Sequence, residues 1–237
     1  MSIYILVHGA YHGAWCYAKV VPLLEAAGHT AIAVDLPGHG DNLVPMVDVT
    51  LDNYVDHVCG ICGAQEGKVI LIGHSLGGMT ITQVAERMPE RIDWLVYLTA
   101  LMPRNGETRA DLARFEGDVD IASLRVISGD GLSATMTPDS IRPTFYGECS
   151  DADYEMALAK LVPQATEPLR RAVATTPGKF GTVRRAYIEC LRDHAIPIAM
   201  QRAMIKAQPC ARVMTLDSDH SPFLSAPEEL ADHLLSL

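Results

Sequence analysis

The sequence predicts an α/β protein built on a central, mostly parallel sheet with helices on both faces. Short apolar runs that are typical of buried strands alternate with amphipathic stretches, the pattern that produces parallel βαβ units. The chain has 237 residues, of which 49% are hydrophobic, enough for one large core. The alternation breaks in the middle of the chain, which predicts an inserted segment.

The expected strands are runs of apolar and β-branched residues, at 3–7, 30–34, 69–72, 94–98, 185–189 and 212–216. The expected helices show helical periodicity, at 14–27, 51–62, 79–87, 198–206 and 227–235. Outside the break, a helix separates each strand from the next, as crossover connections between parallel strands require.

Residues 103–180 depart from this rhythm and are called the cap segment below. Prolines are frequent there and strand signals are few. Thr137-Pro138 and Ser150-Asp151 indicate helix starts, and Val126-Ile127 indicates a short strand. We therefore expect a mainly helical insertion over the carboxyl ends of the strands, where open α/β sheets bind their ligands. The expected core then comprises residues 1–102 and 181–237.

Charge and hydropathy exclude several classes of partner. The net charge of −10 and the pI of about 5.3 argue against nucleic-acid binding and against an anionic membrane surface. Met1-Ser2 leads directly into the first apolar run, so we expect no targeting segment. No apolar run approaches the roughly 18 residues of a membrane span. These features predict a soluble, cytoplasmic protein.

Cysteine usage favours packing over chemistry. The six cysteines are expected to be reduced in such a compartment. Cys59 and Cys62 form a C-x-x-C pair, but they close a predicted helix instead of opening one, and no second pair adds two more zinc ligands. We therefore expect neither a metal nor another cofactor.

The most informative motif is Gly73-His74-Ser75-Leu76-Gly77, of the form G-x-S-x-G. It directly follows a predicted strand and precedes a predicted helix. In that context the motif predicts a nucleophile elbow, a sharp turn that exposes the serine hydroxyl. The turn is crowded, so the positions two before and two after the serine must be small, and both are glycine.

A serine hydroxyl needs a base, and the base needs an orienting acid. Of nine histidines, His220 is the best base, because it lies in the loop after the last strand, at the edge of the sheet that holds the elbow. Asp193, just past the preceding strand, is the best acid. Asp130 looks similar, but it lies within the cap segment and stays an alternative.

The negative oxygen of a tetrahedral intermediate needs backbone donors. One should be the N–H of Leu76, directly after the nucleophile. The second should come from the loop after the first strand, where Ala10 N–H is the candidate. Gly9 would let that backbone come close to the substrate.

Taken together, these motifs resemble the α/β-hydrolase superfamily, in the branch of plant methylesterases, hydroxynitrile lyases and related bacterial esterases. The resemblance covers most of the chain and is carried by residues 7–15, 35–40, 73–78, 187–193 and 219–220. It implies Ser75 as nucleophile, His220 as base, Asp193 as orienting acid, and the Ala10 and Leu76 amides as oxyanion hole. It is also compatible with a homodimer.

Two positions separate the members of this branch. The lyases carry a threonine one residue before the oxyanion-hole amide and a lysine directly after the catalytic histidine. Here Gly9 and Ser221 occupy these positions, and neither can bind a cyanohydrin hydroxyl or a leaving cyanide. We therefore expect an enzyme that hydrolyses small carboxylic esters through an acyl-enzyme. A hydroxynitrile lyase and a small-molecule receptor with a vestigial hydrolase site are the alternatives.

Overall fold

The computed structural model describes residues 1–115 and 121–237. Its strands, in chain order, are β1 (Ile3–Val7), β2 (Thr30–Val34), β3 (Val69–His74), β4 (Ile92–Leu98), β5 (Arg125–Ile127), β6 (Ser133–Met136), β7 (Gln164–Ala165), β8 (Arg185–Cys190) and β9 (Arg212–Leu216). Six of them form a parallel sheet in the order β2-β1-β3-β4-β8-β9. The predicted parallel sheet is confirmed.

The helices lie between and after these strands. In chain order they are α1 (Val20–Ala26), α2 (Leu51–Gly63), α3 (Gly77–Arg87), α4 (Arg109–Leu112), α5 (Pro138–Phe145), α6 (Asp151–Leu158), α7 (Glu167–Arg170), α8 (Ile198–Ala207), α9 (Pro222–Ser225) and α10 (Pro227–Leu235). Short 3-10 helices cover Ala14–Tyr17, Met46–Asp48, Pro89–Arg91, Ala113–Phe115, Ile121–Leu124 and Phe180–Thr182.

The sheet is buried on both faces, and its side chains alternate between two cores. In β3, Val69 and Leu71 pack on the side covered by α2, α3 and α8. Ile70 and Ile72 pack on the opposite side, against α1 and α10. Every residue of β3 is buried, which is why the strand reads as a continuous apolar run instead of an alternating one.

The prediction of one helix over residues 14–27 is wrong in its first half. Ala14–Tyr17 is a 3-10 turn, and α1 begins only at Val20. Pro22 explains the break, because it has no N–H to donate to the carbonyl of Ala18. Proline is tolerated within the first turn of a helix, so the α-helix restarts just before it.

The cap segment is more mixed than the sequence indicates. Its described part contains α4 to α7, and it also contains an antiparallel sheet in the order β5-β6-β7. The predicted strand at Val126-Ile127 is confirmed as part of β5. The predicted helix start at Ser150 is also confirmed, since its side chain accepts a hydrogen bond from the Asp153 N–H at 3.2 Å. The division of the chain at 102/103 and 180/181 stays a prediction.

Three sequence-based expectations bear on membranes, metals and thiols. Within residues 1–115 and 121–237, no helix has both the length and the apolar character for a membrane crossing. The same residues hold no group of three or more histidine, cysteine or acidic side chains arranged for a metal ion. Cys59 and Cys62 lie near the end of α2, and burial raises the pKa of both thiols, that of Cys62 to about 12. A redox thiol has the opposite shift.

Candidate active site

Ser75 lies in a strained turn between β3 and α3. Its φ of 52° places a non-glycine residue in the left-handed region, which is uncommon and typical of functional turns. The turn is as crowded as predicted. A Cβ added to Gly73 would lie 2.8 Å from the Ile81 side chain, and one added to Gly77 would lie 2.6 Å from the His8 carbonyl oxygen. The two glycines are therefore required for this geometry.

His220 faces the serine from the loop between β9 and α9. Its Nε2 lies 3.0 Å from Ser75 Oγ, and its Nδ1 lies 2.7 Å from Asp193 Oδ2. The imidazole is 1% exposed. With Nδ1–H donating to the carboxylate, Nε2 is free to accept the serine proton. The structure thus joins Ser75, His220 and Asp193 in one hydrogen-bonded chain.

Asp193 is held in place by further donors. Its Oδ1 accepts the backbone N–H groups of Ala195 at 2.6 Å and Ile196 at 2.8 Å. Its Oδ2 also accepts the hydroxyl of Thr99, which directly follows β4, the strand beside β8. These bonds fix the position and orientation of the carboxylate. Sequence reasoning missed Thr99, although its place after a neighbouring strand was a usable signal.

The other acidic residues near these motifs have different partners. Asp130 lies in the exposed turn between β5 and β6, where it accepts hydrogen bonds from Ser128 Oγ and the Leu132 N–H. Asp217 pairs with Arg192 on the surface. The structure therefore places the alternative acid, Asp130, away from His220.

The Ala10 and Leu76 N–H groups lie beside the serine. Both residues line the same cavity as Ser75. Within the part of the chain that the structure describes, neither N–H donates to another protein group. Gly9 brings this loop very close to the elbow, because a Cβ at Gly9 would lie only 2.6 Å from Ser75 Cβ. This arrangement suits an oxyanion hole.

A cavity that opens to solvent lies in front of Ser75. Its wall is mostly apolar, with Leu101, Ile121, Phe145, Leu169, Ile196 and Met200 among its lining residues. Besides Ser75 and His220, three polar side chains line it, those of Tyr11, Arg109 and Arg125. An apolar pocket with a few convergent polar groups is typical of a small-molecule site. Motif-based reasoning did not identify these three.

Comparison with known proteins identifies the family of this chain. Residues 4–233 match the model of the alpha/beta hydrolase family. The chain belongs to this family. It is 32% identical to methylesterase 9 of Arabidopsis thaliana over 252 residues, covering 100% of this chain and 98% of that protein. It is also 32% identical to an alpha-hydroxynitrile lyase of the same plant, over 99% of this chain and 96% of that protein.

A solved structure places the fold in the same family. The crystal structure of polyneuridine aldehyde esterase superposes with a TM-score of 0.91 at 28% identity. The match covers 100% of this chain and 98% of that one. The predicted alpha/beta hydrolase fold, and the branch to which the sequence was assigned, are therefore confirmed.

Two buried histidines support the loop after β1, residues 8–12, which is called the oxyanion loop below because Ala10 is its predicted oxyanion donor. His8 donates from Nδ1 to the Gly9 carbonyl at 2.7 Å, and its Nε2 accepts the Leu36 N–H at 3.1 Å. The Gly9 carbonyl and the Ala10 N–H belong to the same peptide group, so this bond orients the donor. Burial holds the pKa of His8 well below its usual range, so the ring stays neutral and keeps this tautomer.

His12 fixes the next peptide of the loop. Its Nδ1 donates to the Ala10 carbonyl at 2.7 Å, and its Nε2 lies 2.7 Å from the hydroxyl of Tyr146 in the cap segment. Burial lowers the pKa of His12 to about 3 and raises that of Tyr146 well above its usual value. Both groups are therefore neutral, and the phenol donates to the imidazole.

His74 packs against His220. Its Nε2–H donates to the backbone carbonyl of His220 at 2.8 Å, and the two rings lie 4.6 Å apart. Burial is the main reason that the pKa of His74 is well below its usual range, and repulsion from a charged His220 acts in the same direction. His74 makes no hydrogen bond to the Ser75 hydroxyl, since Nε2 bonds the His220 carbonyl and Nδ1 has no partner among the described residues. It anchors the loop that carries His220.

Proposed function

We propose that this protein hydrolyses small carboxylic esters, with Ser75 as nucleophile, His220 as base and Asp193 as the acid that orients the base. One observation carries the proposal: the chain from Ser75 Oγ through His220 to Asp193 lies beside two backbone N–H groups that have no acceptor among the described residues. The relatives named methylesterase and esterase support ester chemistry.

The geometry permits acylation directly. His220 Nε2 takes the proton of Ser75 as its oxygen attacks the ester carbonyl. The N–H groups of Ala10 and Leu76 receive the developing negative charge on the carbonyl oxygen. The imidazolium then gives its proton to the leaving alcohol, and the acyl-enzyme on Ser75 remains. Asp193 stabilises the imidazolium and keeps the ring in the required tautomer.

Deacylation repeats these steps with water. His220 removes a proton from a water molecule, which attacks the acyl carbon in the same cavity. The second tetrahedral intermediate uses the same two N–H donors, and its collapse returns the proton to Ser75. The products are a carboxylic acid and an alcohol, and protein groups alone supply the acid–base steps.

Two observations argue against cyanohydrin cleavage at this site. Any side chain at Gly9 would lie 2.6 Å from Ser75 Cβ, so the loop in this position has no room for a threonine. Ser221 is buried, and its Oγ has no hydrogen-bond partner among the described residues. A serine brings no positive charge that could stabilise a leaving cyanide. Ester hydrolysis is therefore the function that the site supports best.

We further propose that the cap segment forms one wall of the substrate pocket, since Phe145 from α5 lies 5.4 Å from the ring of His220. A small-molecule ester is the expected partner, with no nucleic acid and no membrane. The cytoplasmic location and the homodimer stay predictions.

The test compares wild type and Ser75→Ala on 4-nitrophenyl acetate and on mandelonitrile. We expect ester hydrolysis by wild type only and no cyanide from either protein. Cyanide release that depends on Ser75 would support a lyase. Tight binding of an ester without turnover would support a receptor. Equal ester hydrolysis by both proteins would overturn the assignment of Ser75.

A further inference from the structure

The cavity in front of Ser75 carries positive charge in an otherwise acidic protein. The net charge of the chain is −10, yet the permanently charged side chains that line this cavity are Arg109 and Arg125. Both arginines come from the cap segment. Arg109 is buried and already interacts with another group. Arg125 differs from Arg109 in its partners.

Arg125 has no carboxylate partner among residues 1–115 and 121–237, and its Nε is buried without a hydrogen-bond acceptor. Cap-segment arginines outside the cavity behave otherwise, as Arg142 shows by pairing with Asp151. A buried guanidinium N–H without an acceptor is unfavourable. Arg125 lies at the start of β5, where the ladder with Met136 of β6 fixes its backbone.

Tyr11 adds a second unsatisfied donor to the same cavity. Its side chain is buried, at 4% exposure, and its hydroxyl lies near the Arg125 side chain without forming a regular hydrogen bond to any described residue. Burial raises the pKa of Tyr11, so the phenol keeps its proton as a donor, and the nearby positive charge of Arg125 acts in the opposite direction. Tyr11 and Arg125 line the same cavity, so one ligand group there can contact both side chains.

The backbone of Tyr11 is strained at the point where its side chain lines the cavity. Its φ is 68°, in the left-handed region that bulky residues rarely adopt. The Val162 N–H donates to the Tyr11 carbonyl at 3.0 Å and helps to hold this conformation. Strain of this kind persists where the surrounding structure enforces it, and it clusters at ligand-binding sites.

We propose that Arg125 and Tyr11 bind a carboxylate of the substrate, so that the preferred esters are half-esters of dicarboxylic acids. The inference rests on the proposed function, because the scissile ester of the same molecule occupies Ser75. A carboxylate accepts hydrogen bonds from the guanidinium and the phenol together, and charge-assisted bonds of this kind are the strong ones. The apolar wall between the two ends suits a short methylene chain.

The test compares pairs of methyl esters that differ in one terminal charge. Monomethyl succinate, glutarate and adipate are set against methyl butyrate, valerate and hexanoate, and methanol release gives kcat/KM for each. We expect wild type to prefer the half-ester for at least one chain length. Arg125→Gln should lower that preference by about 10- to 100-fold, the usual strength of a charged hydrogen bond. Tyr11→Phe should lower it by a smaller factor.

Arg142→Gln is the matched control, because it removes an exposed guanidinium of the cap segment outside the cavity. Its preference for half-esters should equal that of wild type. Arg125→Lys keeps the charge and should retain part of the preference. Circular dichroism checks the fold of each variant, and Tyr11→Phe provides an independent test if Arg125→Gln does not fold.

Two results would overturn the carboxylate site while leaving ester hydrolysis intact. One is a wild-type kcat/KM for the half-ester that is no higher than that for the matching neutral ester at every chain length. The other is an equal loss by Arg125→Gln on charged and neutral esters, which would place the guanidinium at the reacting carbonyl instead. If wild type hydrolyses 4-nitrophenyl acetate but none of the six esters, the carboxylate site fails alone. If Ser75→Ala hydrolyses the esters as well as wild type, the proposed function fails and the carboxylate site with it.

Discussion

Tyr146 donates its phenolic proton to His12 Nε2 at 2.7 Å, and this bond ties the cap segment to the loop that carries Ala10. Because His12 also donates to the Ala10 carbonyl, the position of the oxyanion loop depends on a residue more than 130 positions away in the chain. The cap segment thus acts on the reaction centre through a hydrogen bond as well as through the pocket wall.

Tyr146→Phe tests this coupling. The change leaves His12 Nε2 as a buried acceptor without a donor, which costs about 1–3 kcal/mol. We expect a lower free energy of unfolding and a kcat reduced by roughly 10-fold with little change in KM, since the loop serves the transition state more than the bound substrate. Urea unfolding and steady-state kinetics on 4-nitrophenyl acetate measure the two effects.

Tyr154→Phe is the matched control for this variant. Tyr154 lies on α6 of the same segment, and its ring contacts Tyr146 at 5.9 Å and the guanidinium of Arg142. The kcat of Tyr154→Phe should equal that of wild type. An unchanged kcat in Tyr146→Phe would show that the oxyanion loop holds its position without the cap segment.

Asp193→Asn should lower kcat by about 10³- to 10⁴-fold with little loss of stability. An amide can accept the N–H groups of Ala195 and Ile196, but its NH₂ then faces Nδ1 of His220 and favours the wrong tautomer. Thr99→Val removes the hydroxyl that donates to the Asp193 carboxylate, and it should lower kcat by about 10-fold. Asp130→Asn is the control, and its kcat should not change. A similar loss in Asp130→Asn and Asp193→Asn would contradict the assigned acid.

Acid should destabilise this protein through its buried neutral histidines. The pKa of His12 is about 3 in the folded chain, against about 6.5 when unfolded. Below pH 6.5 the unfolded chain therefore binds a proton that the folded chain does not. The free energy of unfolding is highest above pH 6.5 and falls as the pH drops from 6.5 towards 3, by up to about 1.4 kcal/mol per pH unit for each such histidine.

His8, His39 and His74 act in the same direction, because burial lowers the pKa of each. Urea unfolding at pH 7.5, 6.0 and 5.0 measures the slope of the free energy of unfolding against pH. His12→Gln should reduce that slope by about one proton, whatever it does to stability at pH 7.5. Identical slopes in wild type and His12→Gln would rule out the contribution of His12.

Local chemistry decided which parts of the site were predictable from sequence. The elbow at Ser75 is a steric requirement that Gly73 and Gly77 reveal by themselves. His220 and Asp193 follow strands whose carboxyl ends must meet at one edge of a parallel sheet, so chain order was sufficient. The parallel sheet itself followed from apolar runs that are buried on both faces.

Contacts made by the cap segment could not be predicted in the same way. Two such contacts are the Tyr146 to His12 hydrogen bond and the approach of Arg125 to Tyr11. Both depend on how residues 103–180 fold back over the sheet, and the local hydrophobic periodicity of the sequence does not predict this. The short strands β6 and β7 were missed for a related reason, because a two- to four-residue strand carries too few positions to show alternation.

Gly9→Ala tests whether the close approach of the oxyanion loop is required. The added Cβ would lie 2.6 Å from Ser75 Cβ and 2.9 Å from His74 Nδ1, so the loop must move and carry the Ala10 N–H with it. Loss of one oxyanion donor costs about 10²- to 10³-fold in kcat. Gly63→Ala, whose nearest neighbour would be Met88 Cε at 3.9 Å, is the control and should match wild type. A Gly9→Ala kcat within about twofold of wild type would mean that the loop accepts a side chain, and the steric argument against a lyase-like threonine at this position would then fail as well.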